Sequence, residues 1–155
     1  MPIVVNNTLN QIRSMAMGGD DRTEKARRLA ELVSNLGGYR WVGIFDIGPE
    51  KATILGWSGL ESPAHRSFSM NEGLTSVAIQ ERRAVICNDV RAEGRSLTML
   101  PETLSEIIVP VISPGGGQVI GTIGVESDRT DAFSSRDQEV IEQCAQSALP
   151  LWLLR

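Results

Sequence analysis

Two apolar, β-rich runs joined by a proline–glycine turn constrain the fold more than any other part of this sequence. They lie in residues 104–127 (LSEIIVPVISPGGGQVIGTIGVES), with the turn at residues 114–117. Side chains alternate between the two faces of a strand. Glu106, Ile108 and Pro110 therefore share one face of the first run, and apolar residues occupy the other. Because both faces must be covered, we predict a β-hairpin at the centre of a sheet.

Two glutamates lie at the same end of this hairpin. Glu106 opens the first run and Glu126 closes the second, so antiparallel pairing would bring both carboxylates to one end of the sheet. A carboxylate in an apolar strand is costly to bury unless another group pairs with it. Gly121 and Gly124 interrupt the second run, and a glycine inside a strand often marks a close approach of another group to the backbone. We therefore expect the functional site here.

The rest of the composition indicates one domain that binds neither nucleic acid nor membrane. The 155 residues are 41% hydrophobic, with a formal net charge of −4 and dispersed basic residues, which favours a single core and no nucleic-acid surface. No apolar run reaches the roughly 18 residues of a membrane span, and residues 1–5 lack the features of a signal peptide, so we expect a cytoplasmic protein. Cys87 and Cys144 have neither CxxC nor metal-ligand spacing, which predicts packed thiols and no metal.

Helical periodicity predicts four helices after a loose lead in residues 1–5. They are residues 6–17, residues 22–36, residues 74–80 and the segment from Ser135 to Leu149. Asp21 begins a capping box for the second helix. Ser134 or Ser135 caps the fourth, which Pro150 should bend or end.

A period of two between these helices predicts the remaining strands. They are residues 39–47, 52–58, 68–70 and 84–87. Residues 91–103 are polar and irregular, with Leu97, Met99 and Leu100 as apolar anchors. An irregular segment of this length in a compact domain is often a binding loop, and we call residues 91–103 the lid.

The last residues form an apolar tail, PLWLLR, at residues 150–155. Such a tail packs either on the flank of its own domain or, together with the first helix, at a subunit interface. We predict a homodimer through the terminal helices. The chain is thus a single domain, with an N-terminal helix in residues 1–20, a core in residues 21–149 and the tail.

Six short motifs, taken in order, resemble the GAF domain family. They are WVGIF at 41–45, NEG at 71–73, NDV at 88–90, SEIIVP at 105–110, VIGTIGVES at 119–127 and FSSRD at 133–137. The resemblance implies an α/β (α+β) fold with an antiparallel sheet of five or six strands, helices on one face, and a ligand pocket on the other face under the loops. Members of the family bind small molecules, and many are sensors in signal transduction that dimerise through terminal helices. A signalling protein partner is therefore also implied.

Within that family, the standalone size and the spacing from Val90 to Ser105 are similar to free methionine-(R)-sulfoxide reductase. The three cysteines of that pattern fall on His65, Thr75 and Met99 here. Reduction of a sulfoxide needs a thiolate nucleophile and a second, resolving thiol, and none of these side chains supplies one.

The pocket carboxylates of the same pattern are partly retained. Glu106 is kept, Glu126 stands in for an aspartate, and a third position is Gly124. The resemblance thus implies a retained binding cavity without catalytic residues.

Other cofactor chemistries of the family lack their residues. The cyclic-nucleotide signature is only half present, from Phe133 to Asp137, and Cys87 lies in an apolar strand where a bilin would not reach it. His65 is the only candidate haem ligand, and a lone loop histidine is more often a surface group. We expect no cofactor.

With the fold that the resemblance implies, strand alternation and the loops above the sheet predict one ligand-binding pocket. Its residues are Trp41, Phe45, His65, Phe68, Thr75, Met99, Glu106, Ile108 and Glu126. Aromatic rings beside carboxylates suit an organic cation, and the start of the helix at residues 74–80 suits an anion, so an amino-acid-like zwitterion would fit. The alternative is that the aromatic residues are core and that the glutamates cap strand ends or pair with Arg91 or Arg95.

The sequence therefore predicts non-catalytic recognition of a small molecule that is amino-acid-like or cationic. Two alternatives stay open. One is an enzyme of the free methionine sulfoxide reductase type that uses another thiol. The other is a ligand-free interaction module whose pocket is filled by side chains such as Met99 and Leu100.

Overall fold

A six-stranded antiparallel sheet forms the centre of the computed structural model, which describes residues 3–115 and 117–154. The strands are β1 (Trp41–Ile47), β2 (Lys51–Ser58), β3 (Ser67–Ser69), β4 (Val85–Cys87), β5 (Ser105–Ile112) and β6 (Val119–Ser127), in the order β3-β2-β1-β6-β5-β4. The helices are α1 (Ile3–Met17), α2 (Arg22–Gly37), α3 (Thr75–Glu81), α4 (Ser135–Ser147) and α5 (Pro150–Leu153). The predicted α/β (α+β) fold is confirmed. No helix within the described ranges is long and apolar enough to cross a membrane.

The predicted central hairpin is formed by β5 and β6. Its register places Glu106 directly opposite Glu126, and the backbone N–H of Ser113 donates to the carbonyl of Gln118 at 2.8 Å, which closes the turn. Gly116, in the predicted turn, lies outside the described residues, as do residues 1, 2 and 155.

Helices α2 and α4 pack directly on one face of the sheet, and α1 and α5 pack against them. The sheet residues that face these helices alternate along each strand, as predicted, and are almost fully buried: Val42, Ile44, Ile107, Val109, Val111, Ile123 and Val125. Burying each such side chain contributes about 1.5–3 kcal/mol. This face is the main core, and it leaves the opposite face of the sheet for the site.

Helix α1 begins earlier than the sequence suggests. The prediction of a loose lead is wrong for residues 3–5, which are the first residues of α1. β-Branched side chains such as those at residues 3–5 have modest helix propensity. Val5 is nevertheless buried on the same stripe as Ile12 and Ala16, so packing of the helix face outweighs local preference.

The sequence predicts that the first strand begins at Tyr39, but in the structure it begins at Trp41. Gly38 ends α2 in the left-handed conformation with φ +62°, which turns the chain before the strand starts. Tyr39 instead contacts the beginning of α4, where its hydroxyl donates to Asp137 at 2.6 Å and its ring lies 5.9 Å from that of Phe133.

The described part of the apolar tail, residues 150–154, packs on the flank of its own domain through Leu151 and Trp152. Trp152 is 2% exposed, and its indole N–H donates to the carbonyl of Phe45 at 3.1 Å. The indole lies on Gly121, where a Cβ would come within 2.1 Å of its nitrogen. This contact explains one of the two strand glycines. Residues 153 and 154 stay about half-exposed.

The second face of the sheet is covered by α3, by residues near β3 and by the lid. The lid, residues 91–103, has no helix or strand, as predicted. It nevertheless packs closely, since Met99 and Leu100 are only 4% and 3% exposed. The candidate site lies between the lid and the sheet.

Candidate functional site

Strands β1, β5 and β6 form the floor of a small cavity under the lid. Its volume is about 20 Å³, which is room for about one water molecule. The lining residues are Trp41, Phe45, Phe68, Thr75, Leu97, Met99, Glu106, Ile108, Thr122, Gly124 and Glu126.

Eight of the nine residues predicted for the pocket lie on this cavity. His65 does not, because it is exposed on the loop before β3. Leu97, Thr122 and Gly124 line the cavity but were not among the nine. The alternation that selects Glu126 also selects Thr122 and Gly124, so the signal for those two was present in the sequence.

The two glutamates and Trp41 form one row across the sheet. Trp41 on β1 pairs with Glu126 on β6, which in turn pairs with Glu106 on β5. Directly opposed residues in antiparallel strands have side chains about 5 Å apart. Each glutamate is 4% exposed. Two carboxylates are therefore held side by side and away from water, next to an indole ring.

Glu126 is held by donors from the lid. The backbone N–H of Met99 donates to its Oε2 at 2.7 Å, and the N–H of Leu100 and the hydroxyl of Thr103 donate to Oε1 at 3.1 and 2.5 Å. Burial raises the pKa of Glu126, and these donors oppose that rise because they stabilise the ionised form.

Glu106 has fewer partners. The hydroxyl of Ser96 donates to its Oε2, and Oε1 receives no hydrogen bond from a described residue. Burial away from solvent is the main cause that raises the pKa of Glu106 from 4.5 to about 7. The hydrogen bond from Ser96 lowers this pKa, and the negative charge of Glu126 raises it further. A group with this pKa is close to half protonated at neutral pH.

Neither glutamate pairs with a lid arginine. Arg91 bonds to Asp89 at 3.0 Å, and Arg95 bonds to Glu93 at 3.1 Å. The alternative in which Arg91 or Arg95 neutralises the glutamates is therefore wrong. In the described part of the chain, no basic side chain forms an ion pair with Glu106.

Aromatic rings also line the cavity. The indole N–H of Trp41 donates to the carbonyl of Glu61 at 3.1 Å, which fixes the ring over Gly43, where a Cβ would be only 2.5 Å from it. The ring of Phe45 meets that of Phe68 edge to face, with centroids 5.8 Å apart. A positive group beside Glu106 would thus also be near aromatic faces.

The start of α3 supplies only part of the predicted anion site. Thr75 lines the cavity and is 7% exposed. Ser76, however, donates its hydroxyl to the carbonyl of Gly73 at 2.8 Å. Leu74, at the N-cap, contributes no side-chain hydrogen bond.

Neither cysteine lines the cavity. Cys87 pairs with Glu106 across β4 and β5 and lines an open surface groove of about 580 Å³ between α3 and β4. Burial raises the pKa of the Cys87 thiol, and it raises that of Cys144, buried in α4, to about 12. Within the described ranges, no group of three or more His, Cys, Asp or Glu could hold a metal ion.

Comparison with known proteins agrees with this architecture. A sequence model of the GAF domain family matches residues 19–149. The chain belongs to the GAF domain family. It is also 22% identical over 138 residues to GAF domain-containing protein A from Dictyostelium discoideum, covering 88% of this chain and 85% of that protein.

Solved structures of other GAF-fold proteins are similar to this GAF domain. Type II free methionine-R-sulfoxide reductase from Thermoplasma acidophilum is 29% identical, with a TM-score of 0.75 over 84% of this chain and 94% of that chain. Free methionine-R-sulfoxide reductase from Neisseria meningitidis, solved with its substrate, has a TM-score of 0.83 at 20% identity, over 96% and 88% of the two chains. At 20% identity, the similarity to the Neisseria meningitidis enzyme shows a shared fold and nothing about activity.

Proposed function

We propose that this GAF domain binds a small organic cation or amino-acid-like zwitterion, without covalent chemistry, in the cavity between Trp41 and the two glutamates. One observation carries the proposal. Glu106 is a 4% exposed carboxylate on the cavity wall, and no described basic side chain is paired with it. A ligand cation is the group that would complete this site.

The physical argument concerns the cost of a buried charge. Burial without a counter-charge favours the neutral form of a carboxylic acid, and this is why the pKa of Glu106 rises to about 7. A proton then occupies the place of a cation in the unliganded protein. An ammonium or guanidinium group would replace that proton and form a charge-assisted hydrogen bond to Oε1.

The remaining walls fit such a ligand. The rings of Trp41 and Phe45 line the same cavity as the carboxylates and would attract a cation through their π faces. The Thermoplasma relative acts, by its name, on free methionine-R-sulfoxide, which is an amino acid derivative. Amino acids are therefore the first ligands to test.

A ligand of this size requires the lid to move. The cavity of about 20 Å³ holds one water molecule, and the side chains of Leu97 and Met99 lie on it from above. We propose that the lid opens to admit the ligand and that these two side chains give way.

The small cavity also favours a second candidate, a ligand-free interaction module. In that case Leu97, Met99 and Leu100 fill the pocket permanently and the function is carried by another surface. An enzyme of the reductase type has less support, since Thr75 and Met99 stand at two of the cysteine positions of that pattern, and both cysteines of this chain lie off the cavity with raised pKa values.

The deciding experiment is a thermal-shift and calorimetric titration of the full chain with amino acids, methionine and its sulfoxides, simple amines, and acetate as an anionic control. A ligand at a hundred times its dissociation constant adds about 2.7 kcal/mol to the free energy of unfolding. We expect a shift with amines or zwitterions and none with acetate. No shift with any of these probes would favour the interaction module.

Two variants test the location of binding. Gly124→Ala places a methyl group in the cavity, and its nearest neighbour, a ring carbon of Phe45, would be 3.7 Å away, which is an ordinary contact. Gly124→Ala and Glu106→Gln should both abolish or weaken binding while the protein stays folded. Gly19→Ala, at an open surface position, is the matched control and should bind as the natural protein does. Unchanged binding by Gly124→Ala would place the ligand elsewhere.

A further inference from the structure

We infer that the two buried glutamates have different tasks: Glu126 is a positioning residue that holds the lid, and Glu106 alone is the counter-charge for the ligand. The second half of this inference rests on the proposed function. The first half concerns the unliganded protein and stands by itself.

Both carboxylate oxygens of Glu126 are already engaged. Oε2 accepts the backbone N–H of Met99 at 2.7 Å, and Oε1 accepts the N–H of Leu100 and the hydroxyl of Thr103 at 3.1 and 2.5 Å. All three donors belong to the end of the lid, residues 99–103. A ligand cation could reach Glu126 only by displacing at least one of these donors.

The same hydrogen bonds keep the lid closed. Met99, Leu100 and Thr103 are 4%, 3% and 5% exposed, so their polar groups have little access to water and depend on Glu126 for partners. On its other side, the lid is attached through the carbonyl of Met99, which accepts the N–H of Ala64 at 2.9 Å. Glu126 thus fixes the backbone that carries Met99 over the cavity.

Glu106 differs in each of these respects. Among the described residues, its single donor is the side-chain hydroxyl of Ser96, which can rotate away without breaking the backbone arrangement of the lid. Its Oε1 has no donor among the described residues, and the side chain lines the cavity. Once the lid has closed over a ligand, Glu106 is therefore the carboxylate that can contact it while residues 99–103 keep their hydrogen bonds to Glu126.

Hydrogen exchange of the full-length, unliganded protein tests the role of Glu126. Glu126→Gln replaces one accepting oxygen by an amide group that cannot accept, and Thr103→Val removes one donor while keeping both carboxylates. We expect the Met99 and Leu100 amides to exchange about tenfold faster or more in both variants, as weakening of hydrogen bonds to a charged group predicts. Glu106→Gln, in contrast, should leave these amides as protected as in the natural protein.

Binding kinetics of methylamine and of the best amino acid from the titration test the division of tasks. Glu106→Gln should raise the dissociation constant of the cation tenfold or more. Glu126→Gln and Thr103→Val should raise the association and dissociation rate constants by similar factors, because both variants loosen the lid. The dissociation constant should change less than threefold, because Glu106, the counter-charge, is unchanged.

The outcomes are separable. Unchanged exchange at Met99 and Leu100 in both Glu126→Gln and Thr103→Val overturns the positioning role. If Glu126→Gln and Glu106→Gln lower the affinity for the cation equally and Thr103→Val binds it normally, the division of tasks is overturned and Glu126 is a ligand contact. If no probe binds the natural protein, the role of Glu106 falls together with the proposed function, while faster exchange in the two lid variants still supports the anchor.

Discussion

Replacing Glu106 by glutamine should change how the stability of the protein depends on pH. Burial raises the pKa of Glu106 from 4.5 to about 7. Between these values the folded protein keeps the proton while the unfolded chain has lost it. The free energy of unfolding of the natural protein therefore falls as pH rises through this window. The stabilising contribution of the protonated group is complete below pH 4.5 and is lost once the pH passes about 7.

The size of the effect follows from the pKa. At 1.36 kcal/mol for each pKa unit, the rise from 4.5 to about 7 amounts to about 3 kcal/mol, most of which develops between pH 5 and pH 8. Glu106→Gln carries no such charge. The stability of this variant relative to the natural protein should therefore improve by about 2–3 kcal/mol from pH 5 to pH 8, and any constant cost of burying the amide does not change this difference.

Urea denaturation of both proteins at pH 5, 6, 7 and 8 measures this difference directly. Glu139→Gln, at an exposed position of α4, is the control, and its curve should run parallel to that of the natural protein. A constant gap between Glu106→Gln and the natural protein across this range would mean that Glu106 is ionised when folded. The argument for a missing counter-charge would then fail.

Three further predictions concern the ligand, the tail and the interface. The dissociation constant of a bound cation should rise about tenfold for each pH unit below 7, because Glu106 must first lose its proton; calorimetry that finds a flat profile would exclude Glu106 from the site. Gly121→Ala should destabilise the protein by about 1–3 kcal/mol in urea, since its Cβ would meet the indole of Trp152, and an unchanged midpoint would contradict that packing. Val4→Glu with Leu154→Glu should turn the proposed homodimer into a monomer by light scattering, whereas Leu60→Glu, fully exposed elsewhere, should not; a dimer that survives the double change would move the interface away from the terminal helices.

Local sequence pattern was sufficient for most of the fold. Alternation in β1, β5 and β6 separated the helix-facing aliphatic residues from the cavity-facing set, and the capping residues Asp21 and Ser134 marked the starts of α2 and α4. These features depend on neighbours three or fewer residues away. The beginning of α1 was missed because its stability comes from Val5 packing in the core and not from its own β-branched sequence.

The candidate site was predicted in part for the same reason. Trp41, Phe45, Ile108 and the two glutamates follow from strand alternation, and the structure brings them together around one cavity. His65 lies on a loop, where no periodicity indicates a direction, and it is exposed. Loop residues can be assigned to a pocket only when the path of the chain is known.

The sequence by itself determined that Glu106 and Glu126 would lie at one end of an apolar hairpin, because strand pairing and alternation are local and repetitive. Only the tertiary structure decided what each carboxylate contacts. The donors to Glu126 come from Met99, Leu100 and Thr103, more than twenty residues away, and lid closure removes the water that would otherwise surround Glu106. Hydrogen bonding and desolvation are properties of the assembled packing, so the charge state of the site is set by the fold as a whole.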